Sequence, residues 1–278
     1  MKQVSPLMLM VFSFSFGLQS LVQYAFAADI YSGHSPEWTS DANATFTTKK
    51  EDRAGLGGVS IGDSITKANE ALGTPYRIIN DASQWYFYGA YDDFVMVRFK
   101  AGVAHAIYST NDTDGGAGVT LYTDRSAGGR IYAASVGVIG GASVITTEQI
   151  IFELTNAFRA QYGLSALVWS DLLGAVARVH SKDDMADRNF FGHADPDGKT
   201  LGDRLTSVGY AWRVCGENID AGYSDGVRAM DGWINSKSTG HRDNILNTVV
   251  TELGIGWATG GVSNYYATYG TQNFGARR

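Results

Sequence analysis

Apolar residues recur at two different periods along this chain, and the change of period divides it. Runs rich in aromatic and branched side chains at residues 84–88, 94–99 and 103–108 are separated by Gly-containing turns, the pattern of strands in a meander. Two more runs, at 119–122 and 130–138, extend that sheet. Ahead of them Ile65, Ala68 and Leu72 fall three and four apart, which predicts a short helix capped by Asp63 and stopped by Gly73 and Pro75. Past residue 143 the period becomes helical. Ile151, Leu154, Phe158 and Tyr162 form one stripe, opened by a Thr146 and Gln149 capping box and closed by Gly163. Ser170 introduces a second helix carrying Leu173, Val176, Ala177 and His180; Thr200 with Asp203 opens a third; Ser224 caps a fourth with Val227, Met230 and Ile234 inward. Residues 253–258 and 265–269, joined across Gly260-Gly261, predict a hairpin.

The pattern gives an α+β chain in two units, 59–142 and 143–278, meeting at the small-residue stretch 137–143. Residues 28–58, rich in Ser, Thr, Asp and Gly and without an apolar face, read as a linker. Residues 1–27 begin with Lys2, continue through an apolar run and end in Ala25-Phe26-Ala27, so they read as a secretory signal peptide cleaved after Ala27. Gln19, Ser20 and Gln23 leave that run short of the ~18 to 20 apolar residues a membrane span requires, and nothing later in the chain is apolar enough to span. The expected location is therefore extracellular or in the cell envelope, with no transmembrane segment after signal removal.

Composition narrows the function. The formal charge of −6, without a Lys/Arg cluster, offers no footprint for nucleic acid. One cysteine, Cys215, permits no intramolecular disulfide, so stability must come from the core. Cys215 and His180 read as core residues, and the adjacent Asp183 and Asp184 as a solvated acidic face. Asn111-Asp112-Thr113-Asp114-Gly115-Gly116 is a polar turn lacking the distant Glu of a calcium loop.

Three islands concentrate polar chemistry: Phe190-Phe191-Gly192-His193, Gly216-Glu217-Asn218-Ile219 and Gly240-His241-Arg242-Asp243-Asn244-Ile245-Leu246. Lying between apolar runs, they are expected on connections, with Gly216 and Asn218 shaping a turn around Glu217. Two imidazoles and a carboxylate suit a zinc-type centre with an open position, and a His and Glu pair equally suits proton transfer; both chemistries are open to these residues.

The order F-x-H, G-E-N-I, W-x-x-S and G-H-R-x-N-I-L resembles the CAP superfamily of cysteine-rich secretory, antigen 5 and pathogenesis-related proteins, over residues 146–278. The resemblance implies an αβα sandwich with a cleft lined by two His and two acids, matched here by His193, Glu217 and His241, with Asn218 and Arg242 beside them. The second acid falls on Ser236, which departs from the family's W-x-x-E. Residues 59–63, 72–75, 85–88 and 103–107 are similar to the CAP-associated domain that precedes some bacterial CAP domains. Family resemblance does not select a function, and a binding reading requires least of these residues: a secreted protein whose cleft takes an envelope, lipid or peptide ligand, with zinc or another divalent ion weakly held by His193, Glu217 and His241. The alternative is a metal-assisted hydrolase, a peptidase or esterase, for which no H-E-x-x-H, G-x-S-x-G or Cys/His/Asn signature is present.

Overall fold

The computed structural model describes residues 55–56, 58–109, 119–123, 130–135, 142–236 and 240–278. The expected signal peptide, most of the linker, the Asn111 turn and residues 136–141 lie outside them. The first described elements are β1 (Gly55–Leu56), β2 (Val59–Ser60) and α1 (Ile65–Leu72). Then come β3 (Arg77–Asn80), β4 (Gln84–Tyr88), β5 (Val95–Lys100), β6 (Val103–Ser109), β7 (Val119–Thr123) and β8 (Arg130–Ser135). Gly55 pairs with Ser60, so strand pairing begins inside the stretch expected to be linker. The α1 cap is Ser64, whose side chain accepts from the Lys67 amide; Asp63, expected in that role, instead accepts from the Ser60 amide and Lys67 Nζ. Two cap-competent residues side by side make the position ambiguous by one.

Six strands lie in the order β3-β4-β5-β6-β8-β7, all neighbours antiparallel. Both faces are covered. Trp85, Phe87, Met96, Ala106 and Tyr108 enter one core, while Tyr86, Tyr88, Val97, Phe99 and Ile107 enter a second beneath α1. That explains why β4 reads Gln-Trp-Tyr-Phe-Tyr with no polar alternation.

The second half holds α2 (Val144–Gln161), β9 (Val168–Trp169), α3 (Asp171–Val179), a π-helical turn at His180–Ala186 and α4 (Leu201–Ser207). It continues with β10 (Trp212–Ala221), α5 (Gly226–Asn235), α6 (His241–Ile245), β11 (Glu252–Thr259) and β12 (Thr268–Arg277). Thr200 and Asp203 cap α4 reciprocally as expected. Two other caps shift. Ser143, not Thr146, caps α2, and Asp225, not Ser224, caps α5 by accepting from the Val227 and Arg228 amides.

The four strands run β10-β12-β11-β9, antiparallel except for the parallel β9 and β11 pair. Alternation along β11 builds the sandwich. Leu253, Ile255 and Trp257 join the core with α2 and α5, while Gly254 and Gly256 face α3. A Cβ at Gly254 would lie 2.0 Å from the Gly174 nitrogen, and one at Gly256 2.2 Å from the Ala177 carbonyl carbon. Only glycine lets α3 approach this closely.

The core beneath the six-stranded sheet is the same one that lies beneath α2 and α5, joining Trp85, Phe94 and Tyr108 to Ile151, Phe158, Met230 and Trp233. Polar ties reinforce it: fully buried Glu153 of α2 takes Tyr76 Oη at 2.7 Å and Arg77 Nη1 at 3.0 Å. Asp81 accepts from the Ser143 amide and from Thr146 Oγ1. The layers therefore stack as α1, six-stranded sheet, α2 with α5, four-stranded sheet, and α3 with α4.

Candidate functional site

Side chains alternate along β10, so Glu217 and Ile219 point to the α3 side and Asn218 and Asp220 to the α2 side. The partners agree: Ile219 packs with Met185 and Ala186, whereas Asn218 bonds Gln272, which in turn donates to Thr155 of α2. The second island is thus a strand interior and not the connection its glycine suggested. Gly216 is small for a different reason, because a Cβ there would meet Asn244 Oδ1 at 2.9 Å.

Glu217 is 8% exposed, and four groups converge on it. His193 Nδ1 lies 3.0 Å from Oε1, Arg204 Nη2 bonds Oε2, and His180 Nε2 stands 4.0 Å from Oε1. The Asn273 amide, oriented to satisfy its neighbours, donates to Oε2 at 3.1 Å. Burial alone would raise the Glu217 carboxyl, but the His193 bond and the charges of His180 and Arg204 outweigh it and hold the group below its ordinary value. An ionised carboxylate only accepts, so His193 Nδ1 is the donor.

His193 itself stands on the loop after the π-helical turn, with its side chain 51% exposed. His180, expected as a core histidine, is one: it is fully buried and lies 3.0 Å from both Asp184 Oδ2 and the Gly192 carbonyl. It also fixes the residue before His193, so it supports the site from behind. Asp184 is correspondingly not part of a solvated face, because the wide π turn brings it onto His180.

His241 opens α6 behind Gly240, which takes a left-handed φ of 72°. Burial, reinforced by the charge of His193, pushes this imidazole down to about 4. Asn218, expected to line the cleft, is fully buried; it donates to the His241 carbonyl at 3.0 Å and accepts from Asn244 Nδ2 at 2.9 Å. It positions α6 against β10. Arg242 leans on Tyr162, with its Cζ 5.5 Å from the ring and Nη2 3.1 Å from the hydroxyl. Ser236 is buried at the C-terminus of α5.

A three-ligand ion on His193, Glu217 and His241 would need a free Glu217 oxygen, and both are engaged. Among the described residues no group of three or more His, Cys, Asp or Glu side chains is placed to hold a metal. As arranged, the three residues do not fit such a centre, and Glu217 serves as the orienting partner of an imidazole. An open groove lined by Trp169, Asp171, Glu252 and Arg277 lies at β9, the opposite edge of the sheet from β10.

Arg204, Asn244 and Asn273 were not legible as site residues. Arg204 sits on a short amphipathic helix beside Leu205, where an arginine ordinarily faces water, yet it is buried. Its only advance signal is the Thr200 capping box, which fixes the helix that carries it.

A sequence model of the CAP, cysteine-rich secretory protein family matches residues 152–274. The chain is 40% identical over 111 residues to the uncharacterized membrane protein YlbC of Bacillus subtilis (strain 168), covering 40% of this chain and 31% of that protein. It is 38% identical over 120 residues to the uncharacterized protein YkwD of the same organism, covering 43% and 46%. The match thus spans roughly a third to a half of these relatives' own length. An extracellular protein containing an SCP domain from Bacillus anthracis shares the fold with TM-score 0.59 at 24% identity, over 83% of this chain and 99% of that one. A cysteine-rich secretory protein from Staphylococcus aureus matches with TM-score 0.58 at 13% identity, over 77% and 90%. At these identities the two structures establish fold alone. Among the described residues no helix is long and apolar enough to cross a membrane.

Proposed function

The C-terminal half of this chain belongs to the CAP superfamily, and from that premise we propose that the protein is exported and binds an envelope component through the site around His193 and His241. The observation that carries the reading is the clamped carboxylate: Glu217, held by Arg204, orients the half-exposed His193 from behind. A carboxylate so satisfied contributes no free base or ligand. It supports a fixed recognition group at the surface, and the buried His241, whose pKa the His193 charge lowers further, stays neutral. Export agrees with the Lys2 start and the Ala25-Phe26-Ala27 site, and with the extracellular description of the Bacillus anthracis protein that shares the fold.

Recognition requires less than catalysis. Nδ1 of His193 is committed to Glu217, so that nitrogen does not activate a Ser, Thr or Cys nucleophile. Cys215, between Val214 and Gly216 on β10, is half-buried with its thiol pushed up by burial, which suits a packing role. The test is co-sedimentation of purified protein with isolated bacterial cell envelopes. The parent should pellet with the envelopes, and His193→Ala should lose most of that binding while unfolding at the parent's midpoint. Equal pelleting by both proteins, or none by the parent, would overturn the reading.

A further inference from the structure

We propose that Arg204 is the positioning residue of this site, holding His193 as the Nδ1–H tautomer with the lone pair of Nε2 turned toward the ligand. The inference rests on reading His193 as the ligand-facing group, and it adds the chemistry of what that group takes: a hydrogen-bond donor such as a hydroxyl, amide or ammonium. The guanidinium bridges two things that must stay in register. Its Nη1 donates to the His193 carbonyl at 2.9 Å and to the Lys199 carbonyl at 3.2 Å, while Nη2 donates to Glu217 Oε2. One planar fork therefore fixes both the backbone of the histidine and the carboxylate that accepts its Nδ1–H hydrogen bond.

The base of the fork is fixed as well. The Thr200 and Asp203 capping box sets the start of α4, and the Arg204 side chain is only 7% exposed. Among the described residues the buried Arg204 Nε has no hydrogen-bond partner, so the side chain gives up one of its own bonds to reach this geometry. With Oε2 occupied by Arg204 and by Asn273, Glu217 has Oε1 left for His193. A neutral imidazole has one donor and one acceptor nitrogen. Committing Nδ1–H to Glu217 leaves Nε2 as the acceptor, the reverse of the tautomer an unconstrained imidazole favours. A lysine at position 204 would carry the charge without spanning both the carbonyl and the carboxylate.

The test reads the imidazole directly, by two-bond 15N–1H spectra at about pH 8.5, where an ordinary imidazole with its reference pKa of ~6.5 is neutral. The parent should show His193 protonated at Nδ1. Arg204→Met, shown to be folded by circular dichroism, should shift His193 to a population dominated by Nε2–H, with the His241 pattern unchanged. Arg204→Lys should give an intermediate population and serves the same purpose if the methionine variant does not fold. A merely structural arginine would alter the unfolding midpoint without changing the tautomer. An Nε2–H histidine in the parent, or an unchanged Nδ1–H histidine in both variants, would overturn the proposal. Because no ligand enters this measurement, its result stands apart from whether envelope binding is found.

Discussion

The Tyr76 hydroxyl donates to Glu153 Oε2 at 2.7 Å, joining the segment before β3 to the middle of α2. Arg77 meets the other oxygen of the same carboxylate, which is itself completely buried. Burial and the charge of Glu153 push the Tyr76 phenol well above its ordinary range, so it remains a donor at any physiological pH. Glu153→Ala removes the acceptor and leaves both donors searching for water. Tyr76 and Arg77 are themselves part-exposed and can rehydrate, so equilibrium urea unfolding should show a loss of about 0.5–1.5 kcal/mol, the usual net worth of a hydrogen bond. A change below about 0.5 kcal/mol would mean that the tie carries nothing.

The shared core changes the expectation for the hinge. Two independent units would separate when the chain is cut between residues 137 and 143. Here Trp85, Phe94 and Tyr108 pack against Ile151, Phe158 and Trp233, so the cut pieces bury each other's apolar surface. After limited proteolysis in that stretch, the fragments should co-elute from gel filtration under native conditions. A C-terminal fragment eluting alone and folded would instead show that residues 59–142 and 143–278 are independent units.

Asp220 is enclosed next to the Trp257 ring and Gly270, and among the described residues neither of its carboxyl oxygens has a hydrogen-bond partner. Burial raises it to about 8. The native state therefore keeps this proton while the unfolded chain, with an ordinary aspartate near ~3.9, releases it. Any stability tied to that proton is complete below about pH 4 and is lost as pH rises toward 8. Asp220→Asn should remove this slope and raise the melting temperature at about pH 7.5. Parallel melting-temperature profiles for parent and variant between about pH 4 and 8 would contradict it.

His241 provides a second pH marker. Its lowered value, about 4, comes from burial first and from His193 second. In a histidine-resolved NMR titration its Cε1–H signal should stay at the neutral position down to about pH 5 and move only near 4. Titration at the reference value of ~6.5 would show that the imidazole is solvated.

Zinc should bind weakly and exchange freely. Glu217 is bonded by His193, Arg204 and Asn273, so an added ion finds no free carboxylate between the imidazoles. Calorimetric titration should give no plateau at one equivalent that survives dialysis. Tight stoichiometric retention would require Glu217 to leave Arg204, and would return the hydrolase alternative to the front.

Periodicity carried most of the architecture. The β4, β5 and β6 runs and the α2 to α5 stripes lie where the apolar pattern puts them, because burial on one or both faces leaves a period. The two-residue β9 and the short β3 left too little pattern to read. Cap positions slipped by one to three residues wherever Ser, Thr and Asp stood close together, since any of them can accept an orphan amide. The histidines of the site were visible through their islands. Arg204, Asp184 and Asn273 were not, because each becomes part of the site only through a tertiary contact: an arginine buried on a short helix, an aspartate turned by a π segment, an asparagine of β12 paired opposite Glu217 of β10. The glycine at 216 misled for the same reason, since it makes room for Asn244 and does not turn the chain.

The central claim is that His193 and His241 belong to one ligand site backed by Glu217. The most direct measurement tracks both imidazole signals by NMR while a soluble digest of bacterial cell envelopes is added to the folded protein. Both should shift together along one saturating curve, and both responses should vanish in Glu217→Gln if that variant remains folded. Saturating binding detected calorimetrically with neither imidazole moving would contradict the account, because the ligand would then be seated elsewhere on the molecule.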